Sequence, residues 1–525
     1  MDVHRLTSRP LAVPEIGRGR YARRLGGARD GQGAHPSSRP SVPRGRIIGP
    51  MSPAGLVLAL LAAAPSASPL PPAVAREVRS AEARHLAVGL AARFPGGPVL
   101  ARYRAAAPMR PASVMKLLTA ACALERLGPA YRFDTEFVAR GTPDAGGTLH
   151  GPLWAVGGGD PLLRAEDLWA ALRELRALGL RRIEGPLVGD AGRLEAAGRP
   201  PSWPAERAPD PYDAEQGALS LAWNSVEAIV RPAGRRGAPA AVGLFPVRAG
   251  IEVVNSVRTA DATRIEVSVT RRPDGRARLA LRGTIGLGSP PFRRWVRLED
   301  PAAAFLAAAA ELAPAAGIEL AGGVDRGTAP PDARPLGRRA SPDLATVIRA
   351  LLKHSLNGAA ETVLRGLAAA DGVPRASTGD GLLRLRECLA AWKVPLRGLE
   401  LRDGSGLAPS DRLTADALVS VLLRAWERPA WGPELLVALP RAGEDGSLAG
   451  RLGGLRGRLR AKTGSLRGVA ALAGYAWTRG GRPVAFAVLV NGAADRPAPT
   501  GVADRLARAI VAAADELEIS PDPSR

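Results

Sequence analysis

Lysine is scarce in this 525-residue chain: four of its 72 basic residues are lysine and the rest are arginine. Arginine stays protonated at any ordinary pH, whereas a desolvated lysine can lose its proton and act as a base, so each lysine is a candidate for chemistry. Two of the four stand in short patterns suited to acyl transfer through a serine. These are Lys116 in Ser113-Val114-Met115-Lys116 and Lys462 in Lys462-Thr463-Gly464-Ser465. Ser355-Leu356-Asn357 lies between them, so the chain carries S-x-x-K, S-x-N and K-T-G in that order.

Ser113 and Lys116 are three apart on an expected helix and therefore leave it on the same face. A serine hydroxyl is a poor nucleophile until a base takes its proton, and Lys116 suits that task if burial and a neighbouring cation, Lys462, depress its pKa. Ser355 then sits between the two lysines as a proton relay, and Asn357 holds Lys116 and a substrate amide. Gly464 lets an extended substrate approach a strand edge closely, the Thr463 and Ser465 hydroxyls suit a terminal carboxylate, and the backbone N–H groups of Ser113 and Ser465 suit an oxyanion. Taken singly, each pattern is more often a solvated helix face, a cap or a strand end. All three in functional order point to a site.

The surrounding elements fit those roles. A helix and then a strand are expected between Ala73 and Tyr103. Pro111 precedes a helix, Ser113–Leu127, in which Val114, Leu117, Leu118, Ala121 and Leu124 recur at helical spacing, and Gly128-Pro129 stops it. Strand patterns follow at Thr135–Ala139, Ile183–Gly189, Val226–Arg231, Ile251–Val254, Arg264–Thr270 and Ala277–Leu281, closed by a helix at Pro301–Ala316. Helices then recur at Asp343–Leu356, Ala359–Leu367, Leu382–Trp392 and Asp416–Trp426. A hairpin, Val469–Trp477 and Pro483–Val490, and an amphipathic helix, Val502–Leu517, end the chain. That order predicts an α/β fold, a helix-covered sheet whose chain is interrupted by mostly-β insertions. The expected division is a leader with signal peptide over 1–75, a discontinuous catalytic domain over 76–132 and 335–520, an inserted β-rich part over 133–334, and a tail over 521–525.

A hydrophobic fraction of 46% is that of a globular protein, and the formal charge of +22 reads as compositional bias, with arginine spread along the chain. Aromatic residues at 4% make a base-stacking platform, and hence a nucleic-acid partner, unexpected. Cys122 and Cys388 show no redox or zinc spacing; Cys122 reads as a small core residue and no structural disulfide is expected. Ala54–Ala64 is an eleven-residue apolar stretch behind Arg44 and Arg46, too short to span a bilayer but suited to a signal peptide, with Ala73-Val74-Ala75 as the cleavage tripeptide. The expectation is export, periplasmic or otherwise extracytoplasmic, without multiple membrane spans. Met51 is an alternative start that would leave the signal without its arginines.

With these motifs in place, the sequence resembles the low-molecular-mass class C penicillin-binding proteins, the D-alanyl-D-alanine carboxypeptidase/endopeptidase group with a long insertion between S-x-x-K and S-x-N. The 242 residues from Ser113 to Ser355 fit that insertion, and LWAVGGGDPLL from Leu153, HSLNGAAE from His354, DGSGL from Asp403 and AKTGSL from Ala461 fit the family. The resemblance implies a serine DD-peptidase/β-lactamase-like domain acting on peptidoglycan stem peptides, Ser113 as nucleophile, covalent inhibition by β-lactams, and no metal or other cofactor. It implies Lys116 as acylation base. Two departures stand out: the arginine often found just after D-G-S-G-L is replaced by Ala408-Pro409, with Arg412 the nearest. The acidic residue after a Trp-Pro pair is also absent behind Trp203-Pro204, with Glu206 and Asp210 as weak substitutes. Two other functions fit the same fold: a β-lactamase, which needs a dedicated activator of the hydrolytic water, and a catalytically silent wall-binding protein. No G-x-S-x-G or H-E-x-x-H occurs.

Overall fold

The computed structural model describes residues 70–196 and 199–519, so the apolar stretch Ala54–Ala64 and the tail lie outside the described residues. The first element, α1 (Pro72–Glu82), starts on a proline, which costs a helix nothing at its first turn. It buries Val74, Val78 and Ala81 in a core shared with Leu506 and Ile510 near the chain's end. Ala73-Val74-Ala75, the expected cleavage tripeptide, therefore lies inside a packed helix. The single strand expected next is two, β1 (Ala87–Arg93) and β2 (Val99–Tyr103), paired antiparallel. Gly96 at φ 64° turns the chain between them.

The helix expected from Ser113 begins as a 3-10 turn, Ala112–Met115, and continues as α2 (Lys116–Leu127). Every α2 residue from Lys116 to Leu124 is buried, which makes it the central post of the helices around it. The insertion follows. Its main sheet joins β3 (Asp134–Ala139), β4 (Leu153–Gly157) and β5 (Leu187–Asp190). A second, three-stranded sheet is formed by β6 (Glu252–Ala260), β7 (Arg264–Arg271) and β8 (Ala277–Gly286), in the order β6-β8-β7. The main sheet is completed by β9 (Val324–Arg326) and β10 (Arg334–Ala340), in the order β9-β5-β4-β3-β10.

The expected strand Ile183–Gly189 is interrupted at Gly185-Pro186, where proline has no N–H to give a ladder. An unexpected helix, Ala165–Ala177, is legible afterwards in its stripe of Leu168, Ala171, Leu172 and Leu175. One apolar core is drawn wholly from residues 137–318, yet insertion and flanks form one compact unit.

Beyond the insertion come α3 (Leu344–His354), α4 (Asn357–Ala370), α5 (Thr378–Ala391) and α6 (Ala415–Trp426), all within a residue or a turn of expectation. Then β11 (Leu459–Leu466), β12 (Val469–Trp477) and β13 (Pro483–Asn491) close an antiparallel sheet of order β11-β12-β13-β1-β2, and α7 (Thr500–Ile519) ends the described chain. The K-T-G segment is thus on an outermost strand, with Lys462 opposite Ala473.

The expectation of no disulfide is overturned. Cys122 on α2 and Cys388 on α5 are bonded, with Cα atoms 5.9 Å apart. Their separation of 266 residues carries no pairing signal, and only the packing of α2 against α5 brings them together. Closing so long a loop restricts the unfolded chain by up to about 5 kcal/mol in the entropic account.

Candidate active site

The site is assembled around the ammonium of Lys116. Its Nζ donates to Ser113 Oγ at 3.0 Å, to Asn357 Oδ1 at 2.6 Å and to the Ser405 carbonyl at 2.7 Å. Three acceptors use all three N–H bonds of an ammonium, which fixes the nitrogen beside the serine oxygen. Local backbone puts Ser113 there: Ala112 is held at φ 48°, an unusual conformation for a residue with a side chain, just before the 3-10 turn. Gly406, at φ 79°, packs against that turn, and a Cβ on it would lie 2.0 Å from the Ala112 carbonyl oxygen.

Burial is the main cause that lowers the Lys116 pKa, to about 8. The charges of Asp403, Glu361 and Asp411 oppose that fall. Two of these acids are themselves pushed up, Glu361 to about 8 and Asp411 to about 10, by burial first and by the charge of Asp403 next. Asp403, fully buried, is ringed by donors: the backbone N–H groups of Ser405, Gly406, Leu407 and Ala408 at 3.0, 2.6, 3.0 and 2.9 Å, and the Trp203 indole N–H at 2.9 Å. Such a carboxylate replaces lost water with fixed dipoles, and it holds the loop whose Ser405 carbonyl receives Lys116.

A second pair stands on the other wall. Lys462 Nζ, fully buried on β11, donates to Ser355 Oγ at 2.9 Å and to the Thr463 carbonyl at 2.7 Å. Ser355 caps α3 in the left-handed conformation, φ 58°. Burial, then the charges of Lys116 and Arg451, hold the Lys462 pKa well below the ordinary lysine range. Burial is the first cause at both amines, repulsion between the two cations adds to it at Lys462, and carboxylates oppose the fall at Lys116.

Gly464 shows why the third motif needs glycine: a Cβ there would sit 2.7 Å from the Pro111 carbonyl oxygen and 3.1 Å from the Ala112 Cβ. The edge strand therefore runs directly beside the Ser113 turn. Thr463 Oγ1 donates to Ser447 Oγ at 2.7 Å, and Ser465 is exposed. Direct bonds thus join Ser113, Lys116 and Asn357, another joins Ser355 to Lys462, and Gly464 brings the K-T-G strand against the Ser113 turn.

Asp210 is tied to Arg294 at 3.0 Å, and Arg412 Nη1 donates to the carbonyls of Pro409 and Asp411. His354 is half-buried and its pKa is lowered, first by burial.

Sequence reasoning missed the support behind the motifs: Asp403, Ser405, Glu361, Asp411 and Trp203. An aspartate followed by Gly-Ser-Gly is a legible sign of a loop whose N–H groups fold back onto a carboxylate. Nothing in the sequence pairs it with a tryptophan 200 residues upstream. That tryptophan belongs to the insertion, as does Tyr212, whose carbonyl accepts Asn357 Nδ2 at 2.9 Å. One stretch of the insertion thus braces both groups that hold Lys116 from behind.

The chain is similar to several known proteins in sequence and in fold. The D-alanyl-D-alanine carboxypeptidase of Actinomadura sp. (strain R39) is 34% identical over 414 residues, covering 76% of this chain and 76% of its own. The D-alanyl-D-alanine carboxypeptidase DacB of Haemophilus influenzae is 27% identical over 404 residues, covering 75% of this chain and 83% of its own. The crystal structure of penicillin binding protein 4 (dacB) from Haemophilus influenzae superposes with a TM-score of 0.72 at 24% identity, over 85% of this chain and 99% of that one. A second crystal structure of that protein, complexed with a β-lactam, gives 0.69 at 25% identity, over 85% and 99% of the two chains. The sequence profile of the D-Ala-D-Ala carboxypeptidase 3 (S13) family matches residues 82–512, and the chain belongs to that family.

Proposed function

We propose that this chain is an exported serine DD-peptidase that cleaves the D-Ala-D-Ala bond, or the D-alanyl cross-link, of peptidoglycan stem peptides through an acyl-enzyme on Ser113. The observation that carries the reading is the fully buried Lys116 amine, 3.0 Å from Ser113 Oγ and with its pKa lowered by burial to about 8. In its neutral form Lys116 takes the hydroxyl proton as Ser113 Oγ bonds to the carbonyl carbon of the penultimate D-alanine. The backbone N–H groups of Ser113 and Ser465 receive the oxyanion, and the Thr463 and Ser465 hydroxyls the terminal carboxylate. As the C–N bond breaks, the proton taken up by Lys116 passes by way of Ser355, which Lys462 holds in place, to the leaving amine, and Lys116 is neutral again. Water then adds to the ester carbonyl and gives a proton to Lys116, which passes it to the Ser113 oxygen as the C–O bond breaks, freeing the serine and the new carboxyl group. A β-lactam presents a reactive amide carbonyl to the same oxygen and leaves it acylated. That the Haemophilus protein was crystallised with a β-lactam supports this for a relative of the same fold.

The segments 76–132 and 335–520 form the catalytic domain in this reading and 133–334 an inserted domain, a division supported by the separate apolar core of residues 137–318. Export is supported by the apolar stretch Ala54–Ala64 and by the Cys122–Cys388 bond, which persists in oxidising compartments. Processing falls upstream of Pro72, because a cut after Ala75 would remove the buried Val74 from its core.

Four outcomes test these statements. Labelling with a fluorescent penicillin should vanish in Ser113→Ala, with D-alanine release from a pentapeptide lost in parallel; persistent labelling would refute the nucleophile. Acylation by that penicillin should rise about tenfold per pH unit below about pH 8 and level above it, since the base must be unprotonated, and a flat profile would exclude Lys116 as base. Trp203→Phe keeps the ring but removes an N–H from Asp403, which holds the loop whose Ser405 carbonyl receives Lys116. Acylation should fall about three- to tenfold, within the range of one hydrogen bond to a charged group. An unchanged rate would assign Trp203 to packing alone. Mass spectrometry of the exported protein should place its first residue before Pro72, and a start at Arg76 would contradict the processing site.

A further inference from the structure

The positive charge is not spread evenly along the chain. Residues 231–297 hold fourteen arginines against four acids, a net +10 of the total +22, and residues 1–50 hold ten against three, a net +7. The remaining 408 residues therefore carry only +5. A general preference for arginine does not produce such a concentration, because elsewhere acids nearly balance the bases.

The fold lays part of this charge on one open face. In the sheet β6-β8-β7, register sets Glu252, Arg278 and Thr270 in one row, Val254, Ala280 and Ser268 in the next, then Ser256, Arg282 and Glu266, then Arg258, Thr284 and Arg264. These alternate rows share one face, since side chains alternate along each strand. The rows between them bury Leu279, Leu281, Val257 and Val269 on the inner face. The outer face is solvent-open: Arg258, Arg264, Arg278 and Arg282 are all exposed. Among the described residues Arg264 and Arg282 have no ion pair, whereas Arg278 shares Glu252 with Arg272.

From this arrangement we infer that the outer face of β6-β8-β7 is a docking surface for a linear phosphodiester polymer of polyols or sugars, the acidic kind of polymer a cell wall can hold. Guanidinium groups match phosphate oxygens in charge and in fork geometry. The hydroxyls of Ser256, Ser268, Thr270 and Thr284 stand between them and suit a hydroxylated repeat unit. Other polyanions fit less well. No aromatic side chain lies in these rows to stack a base, which disfavours single-stranded nucleic acid. Val254 is the one large apolar residue exposed in them, which gives a membrane little to bury. The inference goes beyond the catalytic reading and rests on it for the choice of a cell-wall polymer; binding and penicillin acylation are read separately, so the failure of one is distinguishable from the failure of the other.

The test is binding of the full chain to lipid-free poly(glycerol phosphate), followed by calorimetry at low and at physiological salt. The wild type should bind at low salt and weaken steeply as salt rises, as counterion release requires. The quadruple variant Arg258→Gln, Arg264→Gln, Arg278→Gln and Arg282→Gln should bind at least about tenfold more weakly with a shallower salt slope. A control that replaces the exposed Arg84, Arg349, Arg386 and Arg397 by glutamine should bind like the wild type. Penicillin acylation should be equal in all three, which also verifies folding. The inference is overturned if the wild type ignores the polymer at low salt, or if the quadruple variant binds within about twofold. It is equally overturned if vesicles of phosphatidylglycerol and phosphatidylcholine in equal parts, or oligothymidylate, bind better than the polymer.

Discussion

A single buried amine sets the terms for the rest of this protein. Taking Lys116 out of water makes its charge expensive, and that expense lowers its pKa to about 8. The fold must then manage a nitrogen that is sometimes charged and sometimes not. It supplies three acceptors, so the charged form is fully bonded, and three acids, of which Glu361 and Asp411 are raised to about 8 and about 10. Were all three acids fixed anions, the lysine would be locked as a cation. Acids that are easily protonated leave room for the amine to be neutral.

The residues gathered around Lys116 and Lys462 were largely legible in the sequence, and the groups that support them were not. Ser113, Lys116, Ser355, Asn357 and Lys462 are reactive or strongly polar residues in short fixed spacings, and short spacings survive translation into geometry because a helix turn or strand edge is local. The burial that tunes Lys116 depends on α2 being covered on all sides, and no local pattern states that. Likewise Asp403 finds Trp203 across 200 residues, and Cys122 finds Cys388 across 266. Pairings at that range depend on tertiary topology, and single-sequence reasoning sees only its ends.

Secondary structure followed the same division. Helices such as Pro301–Ala316 and strands such as Val469–Trp477 match expectation to the residue because their apolar period is strong and their stops are clear. The failures sit where backbone chemistry overrides pattern. A glycine at φ 64° splits the first strand into a hairpin, and Gly185-Pro186 divides another. Arginine is less evenly spread than a count over the whole chain suggests: in residues 231–297 it outnumbers the acids fourteen to four, and half of those arginines form ion pairs, several with acids just outside the segment.

The disulfide makes one helix sensitive to its surroundings. Cys122 lies on α2 six residues beyond Lys116, so the covalent tie falls on the helix that carries that lysine. In a reducing environment packing alone anchors the helix, and only an oxidising one closes the tie. The firmness of the post beneath Ser113 and Lys116 is therefore set by the redox state of whatever compartment holds the chain.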